Sequence, residues 1–491
     1  MAHEALAEAA VIVGAVGCAA ALLARNRVVL VTGFVLLAVA ELGLLHALVP
    51  DFYSSLGSSP LRIAAAVAGT AVVVFAAVPL VRYATAVPVV LLVAAPFRVP
   101  AHLAGQEAFL LLPLYGALGA ASLALLVRAL RGDEVRPVTP LLALPAVAYV
   151  ALAAVSLFWS KDVHAGTVEI FFFLLPFAAL VAVLGRMPIA PWLPRALATA
   201  IVALAALFAV IGLWQERAHH LFFGKDIQVG NAYTSYYRVT SLFKDPSLYG
   251  RQLVLAIAVV LVALWLDRLR LVVALPVLVL LWAGLYVSYS QSSMVALIVV
   301  ALAVSLVAAD SRSRRLLLVG TAAFVLAAGG VVAASVQGST TQRITSQRSR
   351  LVGVTWPIFV DHTLSGVGIG AQPKVSRHEV GGRRQAKLNA SHTTPLTVAA
   401  ELGVIGLAAY LAFLGGAART LYLAYRRERA LGLGLAAVFL VLVVHSLFYA
   451  GFWEDPYTWG APALAAAAIA WLAAPARERG LSALTAAPAR R

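Results

Sequence analysis

The sequence predicts an all-α integral membrane protein: a polytopic bundle of about 15 transmembrane helices with two long polar loops on one side. Three observations predict it. The chain is 62% hydrophobic and 12% charged, with a mean hydropathy of +0.93, far from an ordinary soluble domain. Apolar runs of roughly 17–25 residues, the length a helix needs to cross a bilayer, recur along the whole chain. Basic residues fall on alternate turns between those runs, as the positive-inside rule requires of a multi-pass protein.

In order, the expected spans lie near 5–24, 28–49, 62–81, 84–97, 108–128, 139–159, 166–185, 192–213, 251–266, 271–289, 293–309, 316–336, 394–418, 431–451 and 459–475. The fourth is short and carries Pro88 and Pro96, so it reads as bent or re-entrant. The start of the chain lacks the basic region of a signal peptide, so its first apolar run reads as a retained span. Cys18, the one cysteine, lies inside that run, which leaves no internal disulfide and reads as a small buried residue. No Cys/His cluster has metal-ligand spacing.

Orientation follows from the short loops. Arg25 and Arg27, Arg82, Arg128, Arg131 and Arg136, Arg186, Arg268 and Arg270, Arg312, Arg314 and Arg315, Arg419, Arg426, Arg427 and Arg429, and the tail from Arg477 share one side. That side is expected to be cytoplasmic, with the N-terminus outside and the C-terminus inside the cytoplasmic membrane.

Two external loops break the bias. Residues 214–250 carry Arg217, Lys225, Arg238 and Lys244. Residues 337–393 carry eight Lys or Arg, among them Arg348 and Arg350, against Asp361 and Glu379. Part of the net charge of +16 is therefore an external basic surface that topology does not demand. Such a field attracts an anion, and Arg suits forked recognition of phosphate oxygens. A phosphate-bearing lipid is a natural partner at this depth. Pairing with membrane headgroups is the plainer alternative. No nucleic-acid fold signature accompanies the charge, so nucleic acid is excluded as a partner.

The first loop reads Tyr233-Thr-Ser-Tyr236-Tyr237-Arg238, then Lys244-Asp245-Pro246. The Asp-Pro pair signals a turn, and the tyrosines suit an interfacial belt or a platform for a sugar ring. The second loop ends in Ser391-His392-Thr393-Thr394-Pro395. Thr393 or Thr394 can cap the following helix, with Pro395 in its first turn. His392 then precedes a helix N-terminus, whose dipole favours the neutral imidazole. It is competent as a general base, or else serves only as a capping or interfacial residue. Glu401, Glu41, His46, Glu169 and His445 are ionisable groups inside spans, each a functional or an inward-facing structural candidate. Gly366-Val-Gly368-Ile-Gly370 matches a phosphate loop poorly and reads as a tight turn.

These residues carry a resemblance. Arg350, Trp356, Asp361-His362-Thr-Leu-Ser-Gly366-Val-Gly368-Ile-Gly370, His392-Thr-Thr-Pro395-Leu and Glu401-Leu-Gly403-Val-Ile-Gly406 follow one another in an order similar to the O-antigen ligase and polymerase superfamily. Tyr237-Arg238-Val-Thr-Ser-Leu-Phe-Lys-Asp245-Pro246 resembles that family's earlier Arg-containing segment, and Trp159-Ser160 with Phe171-Phe172-Phe173 also fits. The resemblance covers roughly 140–460. It implies a GT-C-like, metal-independent membrane glycosyltransferase with no cofactor. The expected donor is a glycan on undecaprenyl diphosphate, and the acceptor is a hydroxyl of a glycan, lipid or protein at the outer face. It implies His392 as the catalytic residue and Arg238, Arg350 and Arg348 as diphosphate ligands. Glu401, Tyr237 and Trp356 are expected to support them. Gln291 stands where many relatives carry an Arg. The expected division is N-terminal helices 1–139, a ligase-like core 140–475 and a basic tail 476–491. A flippase or transporter for a lipid-linked anionic glycan is the rival class. Charge concentrated in loops, without repeated halves, favours the enzyme.

Overall fold

Hydrophobic length decides the architecture. The computed structural model describes residues 2–103, 106–234, 236–309, 348–379 and 391–473. Among them, 12 helical stretches are long and apolar enough to cross a membrane. Each coincides with an expected span.

The chain opens with an antiparallel pair, α1 (Ala2–Leu23) and α2 (Arg27–Leu48). Asn26 caps α2, its Oδ1 accepting the Val29 N–H at 2.9 Å. Then come α3 (Phe52–Gly57), α4 (Pro60–Arg82) and α5 (Val87–Ala94). The fourth expected span is thus a short helix. It gives way to an antiparallel hairpin, β1 (Val99–Leu103) and β2 (Gln106–Leu110), with Val99 opposite Leu110. Its eight residues are too few to cross a bilayer. The hairpin is a small departure from an all-helical chain.

Next are α6 (Leu112–Leu130), α7 (Pro140–Ser156), α8 (Val163–Glu169) and α9 (Leu175–Leu184). Between α8 and α9 the backbone widens into a π-helical turn, Ile170–Leu174. Pro176 has no N–H for the carbonyl of Phe172, and the Tyr115 hydroxyl donates to that carbonyl at 2.6 Å instead. Then follow α10 (Leu193–Ala218), α11 (Lys225–Asn231), α12 (Pro246–Trp265), α13 (Leu271–Ser288) and α14 (Gln291–Ala308). The expected span 316–336 lies outside the described residues. The chain continues with α15 (Arg348–Asp361), α16 (Gln372–Glu379), α17 (Thr394–Arg427), α18 (Arg429–Ser446) and α19 (Pro456–Ala473). The most enclosed spans are α12 and α18, while α4 lies at the periphery with most of its surface open.

Two expected boundaries move for one reason. The α12 and α19 helices start at Pro246 and Pro456, ahead of 251 and 459. In each case the preceding aspartate accepts a backbone N–H two residues on: Asp245 from Ser247 at 2.6 Å, Asp455 from Tyr457 at 2.8 Å. An Asp-Pro pair is a helix start, with the cap followed by the residue pre-set for the first turn.

The feature that positions the site is a break in α17. Gly403 sits at φ 64°, ψ −162° inside the helix, a conformation essentially reserved for glycine. The Gly366–Gly370 segment fills the break. Val367 N–H donates to Ala400 O at 3.0 Å and Gly368 N–H to Glu401 O at 2.8 Å. Val404 N–H donates back to Thr363 O at 2.8 Å. The approach leaves no room for a side chain: a Cβ on Gly403 would lie 2.2 Å from the Leu364 oxygen. The other side of the segment locks to the turn after α7. Ser160 Oγ donates to Ile369 O at 3.0 Å, Trp159 Nε1 to Ser365 O at 3.2 Å, and Ile369 N–H to Ser156 Oγ at 3.1 Å. The expected tight turn is a glycine wedge between two helix ends.

Gly403→Ala is expected to lose at least about 1–3 kcal/mol of stability through backbone strain alone. Gly415→Ala, in the same helix with nothing within 4 Å of its Cβ, should be neutral or stabilising. Thermal unfolding of both in detergent checks this, and equal midpoints would refute the wedge.

Candidate active site

His392 is held in a strained conformation. Its φ is 53°, the left-handed region that non-glycine residues seldom occupy. The strain swings Ser391 over the start of α17. Thr393 occupies the N-cap position but makes no side-chain cap bond. Ser391 Oγ takes the Thr393 N–H at 3.2 Å, bonds the Thr397 hydroxyl and donates to Thr393 O at 2.9 Å. The expected threonine cap is not made; Ser391 instead braces the turn ahead of the helix. Pro395 does sit in the first turn.

The half-buried His392 ring lies 6.3 Å, centroid to centroid, from that of Tyr449. On its other flank, Tyr449 lies 5.4 Å from the ring of His445. The buried His445 Nε2 is 3.2 Å from Ser292 Oγ, in the first turn of α14. Ser290 caps that turn through its contacts with Ser293. Four polar side chains from α14, α17 and α18 thus meet at one end of the bundle.

The loop after α18 dips inward: Trp453 stacks on Tyr149 in the middle of α7, with centroids 3.9 Å apart. Its charges are matched from elsewhere. Arg251, in α12, forms a buried ion pair with Asp455. The Glu454 side chain is exposed. The protein packed around it raises its carboxyl above the ordinary value, Arg98 and Arg251 pull it back, and Asp455 pushes it up. Burial pushes the Tyr449 hydroxyl up, with Asp245 and Glu454 adding and Arg251 and Arg98 offsetting. Tyr449 therefore stays neutral, a hydroxyl donor.

Arg238 is fixed by its backbone. The Asn231 side chain accepts its N–H at 3.0 Å and donates to its carbonyl at 2.9 Å. Val239 N–H donates to Val287 O at 3.3 Å, which sets Arg238 beside the turn joining α13 to α14. Gln215 secures the next residues, accepting from Ser241 N–H at 2.7 Å and donating to Ser241 O at 2.9 Å. The Arg238 Nε is enclosed without a hydrogen-bond partner among the described residues, a donor left for an acceptor from elsewhere.

The remaining expected residues fall into place as follows. Tyr237 donates its hydroxyl to Gln228 Oε1 at 2.7 Å, and its ring meets that of His219. Glu401 is buried at the wedge, and its Oε1 accepts the Gln372 N–H at 3.2 Å. Trp356 is exposed on α15, edge-on to Phe359. Arg348 and Arg350 open α15, but their side chains lie outside the described residues, as do Arg343, Arg383, Arg384 and Lys387. Sequence reading missed Tyr449, Arg98, the Arg251–Asp455 pair and Glu454. Arg251 was legible in principle: with α12 starting at Asp245-Pro246, it is a charge inside a span.

Comparison with known proteins adds one finding. Residues 276–411 match a family model described as O-antigen ligase. The match takes in the glycine wedge, His392 and Glu401; Arg98, Arg238, Arg251 and Tyr449 lie beyond it. No curated protein matches the chain.

Removing one partner of the buried pair, by Arg251→Ala or Asp455→Ala, is expected to cost about 3–5 kcal/mol. The double variant Arg251→Gln, Asp455→Asn leaves no uncompensated charge and should lose less than either single. Midpoints of thermal unfolding in detergent test the order. Additive losses would show that the two charges do not compensate each other.

Proposed function

We propose, from the premise that this chain is a multi-pass membrane enzyme of the O-antigen ligase and polymerase type, that it transfers a glycan from a lipid diphosphate to an acceptor hydroxyl. The donor is a glycan on undecaprenyl diphosphate, and the acceptor is a hydroxyl of a glycan, lipid or protein. The reaction runs at the outer face of the cytoplasmic membrane, with the N-terminus outside and the C-terminus cytoplasmic.

One observation carries the reading. His392 lies in the matched stretch, strained, half-buried and beside a polar cluster at the start of a helix. Strain of this kind gathers where a side chain must be aimed. His392 takes the proton of the acceptor hydroxyl as its oxygen attacks the anomeric carbon. The bond from that carbon to the diphosphate oxygen breaks, and the diphosphate leaves with the electron pair. The developing charge falls to arginine. Arg238, with its enclosed and unbonded Nε, is the first candidate, and Arg350 and Arg348 are the others. A fixed guanidinium costs no reorganisation when charge appears. Neither a metal nor a nucleotide sugar enters the scheme. Glu401 supports it from a distance, holding the wedge from which α17 and His392 are aimed.

His392→Ala is expected to lower transfer by about 10²–10⁴-fold while the protein still folds and inserts. The assay is release of carrier diphosphate from purified protein given a lipid-linked donor. Near-normal turnover would remove His392 from the chemistry.

Arg238→Lys and Arg350→Lys should both lose activity at low donor concentration, since Lys cannot present two parallel donors to a phosphate. Wild-type rates in both variants at low donor would reject the clamp and leave these arginines as headgroup anchors.

A further inference from the structure

A second cavity runs along the bundle, from Arg195 and Arg268 at one end to Pro456 and Tyr457, at the start of α19, at the other. A groove of roughly 840 Å³ opens between α5, α10, α12, α18 and α19. Its walls are apolar, with Leu91, Leu197, Val262, Leu435 and Leu464 among them. Its volume is that of a site for a sizeable apolar ligand. One end is different: Arg195 and Arg268 line it, with Glu428 as the one acid among the lining residues. Glu428 is already engaged, since its carboxylate accepts the N–H groups of Ala430 and Leu431 as the cap of α18. Two guanidinium groups therefore face the groove mouth with no free carboxylate among its lining to neutralise them.

This end is remote from His392. The 34 residues of α17 separate His392 from Glu428, several tens of ångströms at about 1.5 Å per residue even with the break at Gly403. A diphosphate bound near His392 does not reach these arginines. Exposed Trp192 stands beside Arg195 at the rim, where tryptophan marks headgroup level. A basic pocket between transmembrane helices, continuous with an apolar groove, has the chemistry of a site for an anionic headgroup and its chain.

We propose that the groove binds an anionic glycerophospholipid, with its phosphate at Arg195 and Arg268 and an acyl chain between α10, α12 and α18. The lipid is a resident of the fold, separate from the donor and acceptor of the transfer reaction, and the site does not depend on that reading.

Gly434 makes the groove testable. It lines the groove, and a Cβ built on it meets nothing within 4 Å. Gly434→Leu therefore extends into open space and fills the chain's path without crowding the bundle. The measurement is lipid binding to the full-length protein by native mass spectrometry. The probes are phosphatidylglycerol and phosphatidylcholine with identical acyl chains. Phosphatidylglycerol should bind more tightly by about thirty-fold, taking two arginines at the membrane surface. Arg195→Gln with Arg268→Gln should erase the preference and leave phosphatidylcholine binding unchanged. Gly434→Leu should weaken both lipids. Equal binding of the two lipids by the native chain, or unchanged phosphatidylglycerol binding in Gly434→Leu, would overturn the proposal. So would a polyprenyl phosphate that outcompetes phosphatidylglycerol and is itself expelled by Gly434→Leu, because the groove would then belong to the donor's chain. His392→Ala, at the far end, should leave all of these affinities unchanged.

Discussion

A helix broken within a membrane-length segment must find partners for the backbone groups it releases, because lipid offers none. In α17 those partners come from the glycine wedge. The carbonyls of Ala400 and Glu401 and the N–H of Val404 are all taken up by residues 363–368. The same segment is tied to the turn after α7 through Ser156, Trp159 and Ser160. The wedge thus joins three parts of the chain that are far apart in sequence. The first two turns of α17, with His392 ahead of them, are steered by it. A loop of ordinary residues could not approach this closely: a Cβ at Gly366 would meet the Glu401 carbonyl, and one at Gly368 the Ser160 backbone.

Around this frame the arginines fall into two kinds. Arg251 is neutralised by Asp455, and Arg186 gives its Nη1 and Nη2 to carbonyls at 2.8–3.2 Å. Both hold helices together, and both are costly to strip of their partners. Arg238 differs, since its backbone is pinned on both sides while its guanidinium has no ion pair or carbonyl partner among the described residues. Under the proposed function, pinning the backbone while leaving the head unsatisfied would reduce the entropy lost on gripping the diphosphate. The cluster around Tyr449 combines two imidazoles, a neutral phenol and an open carboxylate. That set can donate and accept hydrogen bonds with hydroxyl groups, as the proposed acceptor would require.

Membrane-length periodicity was sufficient to find the twelve spans among the described residues, because it follows from the energetics of lipid and needs no tertiary context. The glycine cluster was visible as a turn, but its docking partner was not, since nothing local says which helix a turn will enter. His392 was legible from its place before Thr-Thr-Pro and from the family likeness. Its left-handed backbone was not, because histidine is no marker of that conformation. Arg251 was obscured by a boundary drawn at the charge itself, where Asp245-Pro246 already signalled an earlier start. Tyr449 looked like one more interfacial aromatic. Only the inward dip of the loop after α18 carries it between two histidines. The β1–β2 hairpin was missed because it falls mostly in the polar connection between two expected spans, His102 to Glu107, where nothing local marks a strand pair.

Arg186 ends α9, yet it completes α1. Its Nη2 donates to the carbonyls of Leu22 and Ala24, at the C-terminal end of the first helix. Those carbonyls have no partner within α1. During synthesis α1 enters the membrane long before residue 186 exists, and until then its end is hydrated or exposed. The first helix pair is thus an unfinished module that waits for a donor more than 160 residues later. The hydrogen bonding of the C-terminal end of α1 is therefore completed only when α9 packs against it.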